Sequence, residues 1–216
     1  AERLNPEVRD AFEQKFNRNI YEGYGTTETT PVAGVNIPDR LNVANWSIQQ
    51  GTKQGSIGMA LPGSSFRIVD PEILAQLPAG EDGLILIGGT QIMQGYLKDQ
   101  AKTDSVIINQ DGLRWYNTGD KGHLDEDGFL SIVDRYSRFA KIGGEMVSLG
   151  AVESAINAVV PETVEVLSTA IPDEKKGEQV VLLFSGPVTE SELKALILKK
   201  SGLKQLMLPS HFVPVK

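Results

Sequence analysis

The order of hydrophobic and polar residues predicts a helix and then a loop at the start of the chain. Asn5 and Pro6 form an N-cap and first-turn pair. Apolar residues follow at helical spacing, at Val8, Ala11, Phe12 and Phe16. A short strand at about residues 19–22 would then lead into the glycine-rich loop "YEGYGTTETT", residues 21–30. We therefore expect this loop to lie where open α/β sheets usually bind ligands.

The middle of the chain has the pattern of a β-rich subdomain. Three strand candidates, "SFRIVD", "GLILIGG" and "GFLSIVD", are separated by turns such as "PAGEDG" and "DEDG". The short apolar segments and the regular turn signals predict several strands packed together. No internal repeat interrupts this pattern.

The last third of the chain predicts alternating helices and strands. A helix begins at about Gly150 and places apolar residues on one face. These residues are Val152, Ala155, Ile156 and Val159. Two strands follow, "VEVLSTAI" and "EQVVLLFS", and Thr189 and Glu192 form a capping box for a second helix.

Composition narrows the possible functions. The net charge of −7 over 216 residues argues against a nucleic-acid binder, because such proteins need a basic surface to bind phosphates. The chain has no cysteine and only two histidines, which excludes disulfides, thiolate metal sites and a three-histidine centre. The chain opens with Ala1 immediately before the predicted helix, so we expect it to be a piece of a longer protein.

In the opening loop, four threonines flank the acid Glu28. Two interpretations are open: a simple turn with a solvated glutamate, or a loop that holds a phosphate and a metal. The segment "YGTTE" by itself favours the turn. The other motifs of the chain change this balance.

Five motifs resemble, in order and spacing, the later core motifs of the adenylate-forming enzymes, which include acyl-CoA synthetases, luciferases and peptide-synthetase adenylation domains. They are "YGTTE", "GSIGMALPG", "GGTQIMQGY", "YNTGD" and "DRYSRFAKIGGEMVSLGAVE". Within this superfamily, "RFAKIGGEMVSL" and "EGYGTTET" look most like bacterial acyl-acyl-carrier-protein synthetases, which are often fused to a 2-acylglycerophosphoethanolamine acyltransferase. The resemblance covers nearly the whole chain but only about the last third of such an enzyme.

This resemblance implies an acid–thiol ligase with ATP and Mg²⁺ as cofactors. A carboxylate attacks the α-phosphate of ATP to give an acyl-adenylate and pyrophosphate, and a phosphopantetheine thiol then displaces AMP. The implied acid is a fatty acid, the acceptor is an acyl carrier protein or CoA, and no nucleic acid takes part. The implied location is cytoplasmic, and a peripheral association of the longer protein with the inner membrane is left open.

In the opening loop, the resemblance implies a nucleotide-binding set and a metal ligand. Glu28 would bind Mg²⁺ together with phosphate oxygens, and Tyr24 would stack on the adenine. Glycine in the loop would let the backbone approach the nucleotide closely. The residues expected to bind the nucleotide here are Gly23, Tyr24, Gly25, Thr26 and Thr27. Thr27, as a donor to the α-phosphate, and Glu28 are also expected to act in catalysis.

Four later residues receive roles from the same resemblance. Asp120 would accept hydrogen bonds from both ribose hydroxyls, although aspartate in a turn is also a routine structural residue. Arg135 would contact the ribose or a phosphate. Ser137 stands at the hinge position, which is usually Asp or Lys in these enzymes. Gly144 would act in thioester formation by letting the pantetheine arm pass, but a tight turn between strands explains a glycine there equally well.

Arg135, Arg138 and Lys141 form a basic cluster in an acidic chain. A solvated positive face and a docking patch for an acidic carrier protein are both open interpretations.

We predict a fold of the α/β and α+β classes in three parts. Residues 1–50 would end a large α/β nucleotide-binding subdomain, residues 51–133 would form a β-rich subdomain, and residues 134–216 would form an incomplete, mobile α+β domain. The predicted function is a fragment of an ATP-dependent fatty acid ligase that is inactive alone. The alternative is a non-catalytic nucleotide-binding or carrier-docking module with the same fold.

Overall fold

A computed structural model describes residues 4–215 of the chain, so residues 1–3 and residue 216 of the predicted parts lie outside the described residues. The chain divides into two compact units, one ending at Val133 and the other beginning at Asp134. The mixture of sheets with few helices confirms the predicted fold class. Within residues 4–215, no helix has the length and apolar character needed to cross a bilayer.

The first unit begins with the predicted helix. Helix α1 spans Pro6–Phe16, and the side chain of Asn5 accepts a hydrogen bond from the Glu7 N–H at 2.8 Å. The helix is confirmed, but its apolar stripe is exposed, and the buried residue is Arg9.

The strand predicted at residues 19–22 is wrong, because only the next two residues pair with a neighbouring strand. Five short strands follow: β1 Gly23–Tyr24, β2 Gly34–Val35, β3 Arg40–Asn42, β4 Ser47–Gln49 and β5 Met59–Ala60. Antiparallel pairing joins β1 to β2 and β2 to β5, so the opening loop follows a strand of a small antiparallel sheet and not the end of a parallel strand. Strands β3 and β4 form a separate hairpin.

A five-stranded sheet forms the centre of the first unit and contains the three strands predicted from "SFRIVD", "GLILIGG" and "GFLSIVD". Its elements are β6 Ser64–Val69, β7 Gly83–Gly89, α2 Gln100–Val106, β8 Ile107–Gln110, β9 Leu113–Leu124 and β10 Leu130–Arg135. The strand order is β10-β9-β7-β6, and β8 pairs with β9. Strand β7 is buried on both faces, which explains why "GLILIGG" is continuously apolar and does not alternate. The core around it includes Ile68, Ile85, Ile87 and Leu130.

The second unit packs two helices against a five-stranded sheet. Its elements are β11 Phe139–Ile142, β12 Glu145–Ser148, α3 Leu149–Asn157, β13 Glu165–Asp173, β14 Gly177–Ser185, α4 Glu190–Lys200 and β15 His211–Pro214. The strand order is β12-β11-β14-β13, and β15 pairs in parallel with β14. Val152 and Ile156 are buried as predicted, but α3 ends before Val159. The capping box of Thr189 and Glu192 is confirmed at the start of α4.

Candidate functional site

Threonine hydrogen bonds fix the opening loop into a short 3-10 turn over Thr27–Thr29. The hydroxyl of Thr29 accepts from the Thr26 N–H at 2.9 Å and donates to the Thr26 carbonyl at 3.0 Å. Thr29 is completely buried, whereas Thr27 is exposed at the surface. The Thr29 side chain therefore stabilises the loop itself, whereas Thr27 is accessible to solvent.

The two glycines of this loop are explained by the packing of the chain. A Cβ on Gly25 would lie 1.9 Å from the Pro31 carbonyl oxygen, and a Cβ on Gly23 would lie 3.2 Å from the Gly34 oxygen. The space beside each glycine is thus filled by backbone. Their predicted contact with a nucleotide stays a prediction, since close packing already requires Gly25.

Replacing Gly25 with alanine should distort the loop and lower its stability. Because the obstacle is backbone and not a flexible side chain, we expect a loss of about 1–3 kcal/mol in the free energy of unfolding. Chemical denaturation of both proteins measures this difference. Equal stability of Gly25→Ala and the parent would contradict the packing explanation.

Glu28 lies in the 3-10 turn and is held by a tyrosine that sequence reasoning did not single out. The Tyr96 hydroxyl donates to Oε1 of Glu28 at 2.6 Å. The Met93 N–H donates to the Glu28 carbonyl at 2.9 Å. Tyr96 is the last residue of the motif "GGTQIMQGY". The motif pointed to this region, but only the fold brings its tyrosine to Glu28.

These hydrogen bonds determine the ionisation of the pair. Burial favours the neutral form of Glu28, but hydrogen bonds from Tyr96 and from its own backbone N–H outweigh burial and lower the pKa of the carboxyl. The hydrogen bond to Glu28, with burial and the Glu28 charge, raises the pKa of Tyr96. Burial, followed by the Glu28 charge, also raises the pKa of Tyr116. At neutral pH, Glu28 is therefore an anion among neutral phenols.

Asp120 occupies a β-bulge and not the end of a turn. Leu86 pairs with Asn117 and Leu84 with Lys121, so one residue of β7 faces residues 118–120 of β9. Gly119 within the bulge has a φ of +71°, which glycine adopts without strain.

The side chain of Thr118 stabilises this bulge. Its hydroxyl donates to the Ile85 carbonyl at 2.8 Å and accepts from the Asp120 N–H at 3.0 Å. Thr118 therefore fixes the backbone of the bulge on both sides of Gly119.

Tyr24 and Asp120 are brought together although 96 residues separate them in the sequence. The Tyr24 hydroxyl donates to Oδ2 of Asp120. Asp120 is only 4% exposed, and burial, together with the Asp120 charge, raises the pKa of Tyr24. Electrostatic coupling also links Tyr116 to Glu28 and Asp120. Two carboxylates and three tyrosines therefore form one cluster in the first unit.

The remaining predicted residues belong to the second unit. Arg135 is exposed at the end of β10, and Ser137 lies in a 3-10 turn over Tyr136–Arg138. Gly144 has a φ of +86° in the turn between β11 and β12. Arg138 donates to Glu153, so its charge is compensated within the unit. This pairing weakens the idea of a basic docking patch.

The described residues suit a cation that arrives with phosphate. Across residues 4–215, no group of three or more His, Cys, Asp or Glu side chains could hold a metal ion. Mg²⁺ is commonly held by one or two carboxylates with substrate phosphates and water. The single anionic Glu28 fits this pattern.

Known proteins with a similar sequence or fold support a common origin. A 4-coumarate–CoA ligase 1 of Glycine max is 35% identical over 203 residues, which cover 91% of this chain and 66% of that protein. A 4-coumarate–CoA ligase 1 of Petroselinum crispum is 35% identical over 91% of this chain and 35% of that protein. The crystal structure of ATP-bound MatB from Rhodopseudomonas palustris matches 97% of this chain and 39% of its own, with a TM-score of 0.75 and 27% identity.

The chain thus spans between about a third and two thirds of the length of these proteins. Residues 1–97 match the sequence profile of the family described as AMP-binding enzyme. The fold match extends the likeness over both units. With the ordered motifs, these findings establish that the chain belongs to the AMP-binding enzyme family of adenylate-forming enzymes.

Proposed function

We propose that this chain is part of an ATP-dependent acid–thiol ligase, which activates a carboxylic acid as an acyl-adenylate and transfers the acyl group to a thiol. The observation that carries this proposal is the cluster in which Tyr96 holds Glu28 and Tyr24 holds Asp120. Two anchored carboxylates in a family of adenylate-forming enzymes suit the binding of Mg·ATP. The names of the CoA ligases among the relatives support the same reaction class.

In the first step, a carboxylate oxygen of the acid bonds to the α-phosphorus of ATP, and the bond to the pyrophosphate oxygen breaks. Both reactants are anions, so binding and orientation supply most of the catalysis. Mg²⁺, when bound, would neutralise phosphate charge. Glu28 would hold the cation with phosphate oxygens, and the exposed Thr27 hydroxyl would donate to the α-phosphate.

Nucleotide binding would use Asp120 as an acceptor for the ribose hydroxyls. One of its oxygens already accepts from Tyr24, and the carboxylate is buried. We therefore expect Tyr24 to share or release this hydrogen bond when the ribose binds. We further propose that Arg135 contacts the nucleotide and that Gly144 lets the pantetheine arm pass.

In the second step, the thiolate sulfur of a phosphopantetheine arm bonds to the acyl carbon, and AMP leaves with the electrons of the acyl–oxygen bond. We propose a fatty acid as the substrate, with a hydroxycinnamic acid as the second candidate because the relatives carry the name 4-coumarate–CoA ligase. CoA and an acyl carrier protein are both candidate acceptors. For the whole protein, we also propose a cytoplasmic location, a peripheral membrane association and a fused acyltransferase.

The deciding experiment is ATP–pyrophosphate exchange by the complete protein with a panel of acids. The panel contains fatty acids of several chain lengths and 4-coumarate, and thioester formation is then assayed with CoA and with holo-acyl carrier protein. We expect Mg²⁺-dependent exchange that requires an acid and is fastest with a fatty acid. ATP binding without exchange for any acid would favour the non-catalytic module.

A further inference from the structure

One irregular segment, residues 90–97 between β7 and α2, holds both the backbone and the side chain of Glu28. The Met93 N–H donates to the Glu28 carbonyl at 2.9 Å, and the Tyr96 hydroxyl donates to Oε1 at 2.6 Å. A third bond joins the same two stretches, from the Thr30 hydroxyl to the Gln91 carbonyl at 3.0 Å. The carboxylate is therefore fixed by a part of the chain more than 60 residues away.

Tyr96 is itself anchored to helix α2. Its N–H donates to the Thr103 hydroxyl at 2.9 Å, and the Lys102 ammonium lies 4.4 Å from the centre of its ring. A Cβ on Gly95 would lie 2.9 Å from the Thr103 side chain, so the segment packs directly on the helix. These contacts fix the phenol before any ligand arrives.

We propose that Tyr96 is a positioning residue for the cation that accompanies ATP. Its hydroxyl donates to Oε1, which holds the orientation of Glu28 so that the carboxylate can serve as a ligand for a divalent cation. A free glutamate side chain would lose rotamer freedom on binding the cation, whereas a prefixed one has already lost it. This role rests on the proposed function, since it requires Glu28 to bind the cation.

The test uses Tyr96→Phe in the complete protein, because this change removes the hydroxyl and keeps the ring. Mn²⁺ is the probe, and its binding is followed by electron paramagnetic resonance in the presence of α,β-methylene-ATP. We expect the Mn²⁺ dissociation constant to rise about 10–100-fold, the range typical of residues that orient metal ligands. The affinity for α,β-methylene-ATP, measured in the absence of divalent cations, should change little. The thermal midpoint of unfolding should also change little.

Two further variants separate positioning from a merely structural role. Tyr21→Phe is the matched control, because the Tyr21 hydroxyl contacts the Asn19 amide at 3.4 Å and should leave Mn²⁺ binding unchanged. In the Glu28→Gln background, adding Tyr96→Phe should weaken Mn²⁺ binding no further, since Tyr96 acts through Glu28.

Three results would overturn the inference. If Tyr96→Phe bound Mn²⁺ as tightly as the wild type, the inference would be wrong, even if the variant unfolded at a lower temperature. A full additional loss in the double variant would show that Tyr96 acts independently of Glu28. Unchanged Mn²⁺ binding in Glu28→Gln alone would remove the metal role from the proposed function, and the positioning role with it. A failure confined to Tyr96→Phe leaves the proposed function intact.

Discussion

Replacing Asp120 with alanine in the complete protein is expected to slow adenylate formation by roughly two to four orders of magnitude. The change would remove the two charge-assisted hydrogen bonds that we propose Asp120 makes to the ribose. Each is worth about 1.5–3 kcal/mol, and about 1.4 kcal/mol corresponds to a tenfold change in rate. It also leaves the Tyr24 hydroxyl without the acceptor that it has in the structure. ATP–pyrophosphate exchange at saturating acid measures the effect.

Two companion variants separate ribose binding from loop structure. Asp120→Asn keeps the side-chain volume and an acceptor for Tyr24 but removes the charge, so it should remain severely impaired. Tyr24→Phe removes the donor of the Tyr24–Asp120 hydrogen bond and keeps the carboxylate, so it should reduce ATP–pyrophosphate exchange much less. Near-normal exchange in both Asp120 variants would show that this cluster does not bind the ribose.

Replacing Gly144 with leucine should block acyl transfer to the thiol and leave ATP–pyrophosphate exchange nearly intact. A Cβ built on Gly144 meets no atom within 4 Å, so the new side chain extends into open space. It would obstruct the pantetheine arm if the arm passes there, without touching ATP. The two half-reactions are measured separately on one purified variant.

Gly144→Ala controls for backbone strain in this experiment. Gly144 has a φ of +86°, and any side chain there costs about 1–3 kcal/mol. Alanine carries nearly the same strain as leucine but little bulk, so it should keep both half-reactions. Equal losses in exchange and transfer for both variants, with lowered thermal midpoints, would leave Gly144 as a turn residue only.

Local sequence patterns predicted those helices and strands that interactions between neighbouring residues determine. The capping box at Thr189 closes within three residues, so the start of α4 could be read directly. The short apolar segment "GLILIGG" similarly indicated a strand, and the structure shows that this strand, β7, is buried on both faces. The exposure of the apolar stripe of α1 could not be predicted in this way, because a helical pattern does not show whether any surface covers it.

The sequence by itself determined the family resemblance, the order of the motifs and the residue types available for chemistry, including Glu28 and Asp120. Only the tertiary structure decided which of these side chains meet. Tyr96 reaches Glu28, and Tyr24 reaches Asp120, through contacts between residues 68 and 96 positions apart. The physical reason is that periodicity reports local backbone geometry, whereas these hydrogen bonds depend on sheet register and on a bulge in β9 that no local pattern specifies.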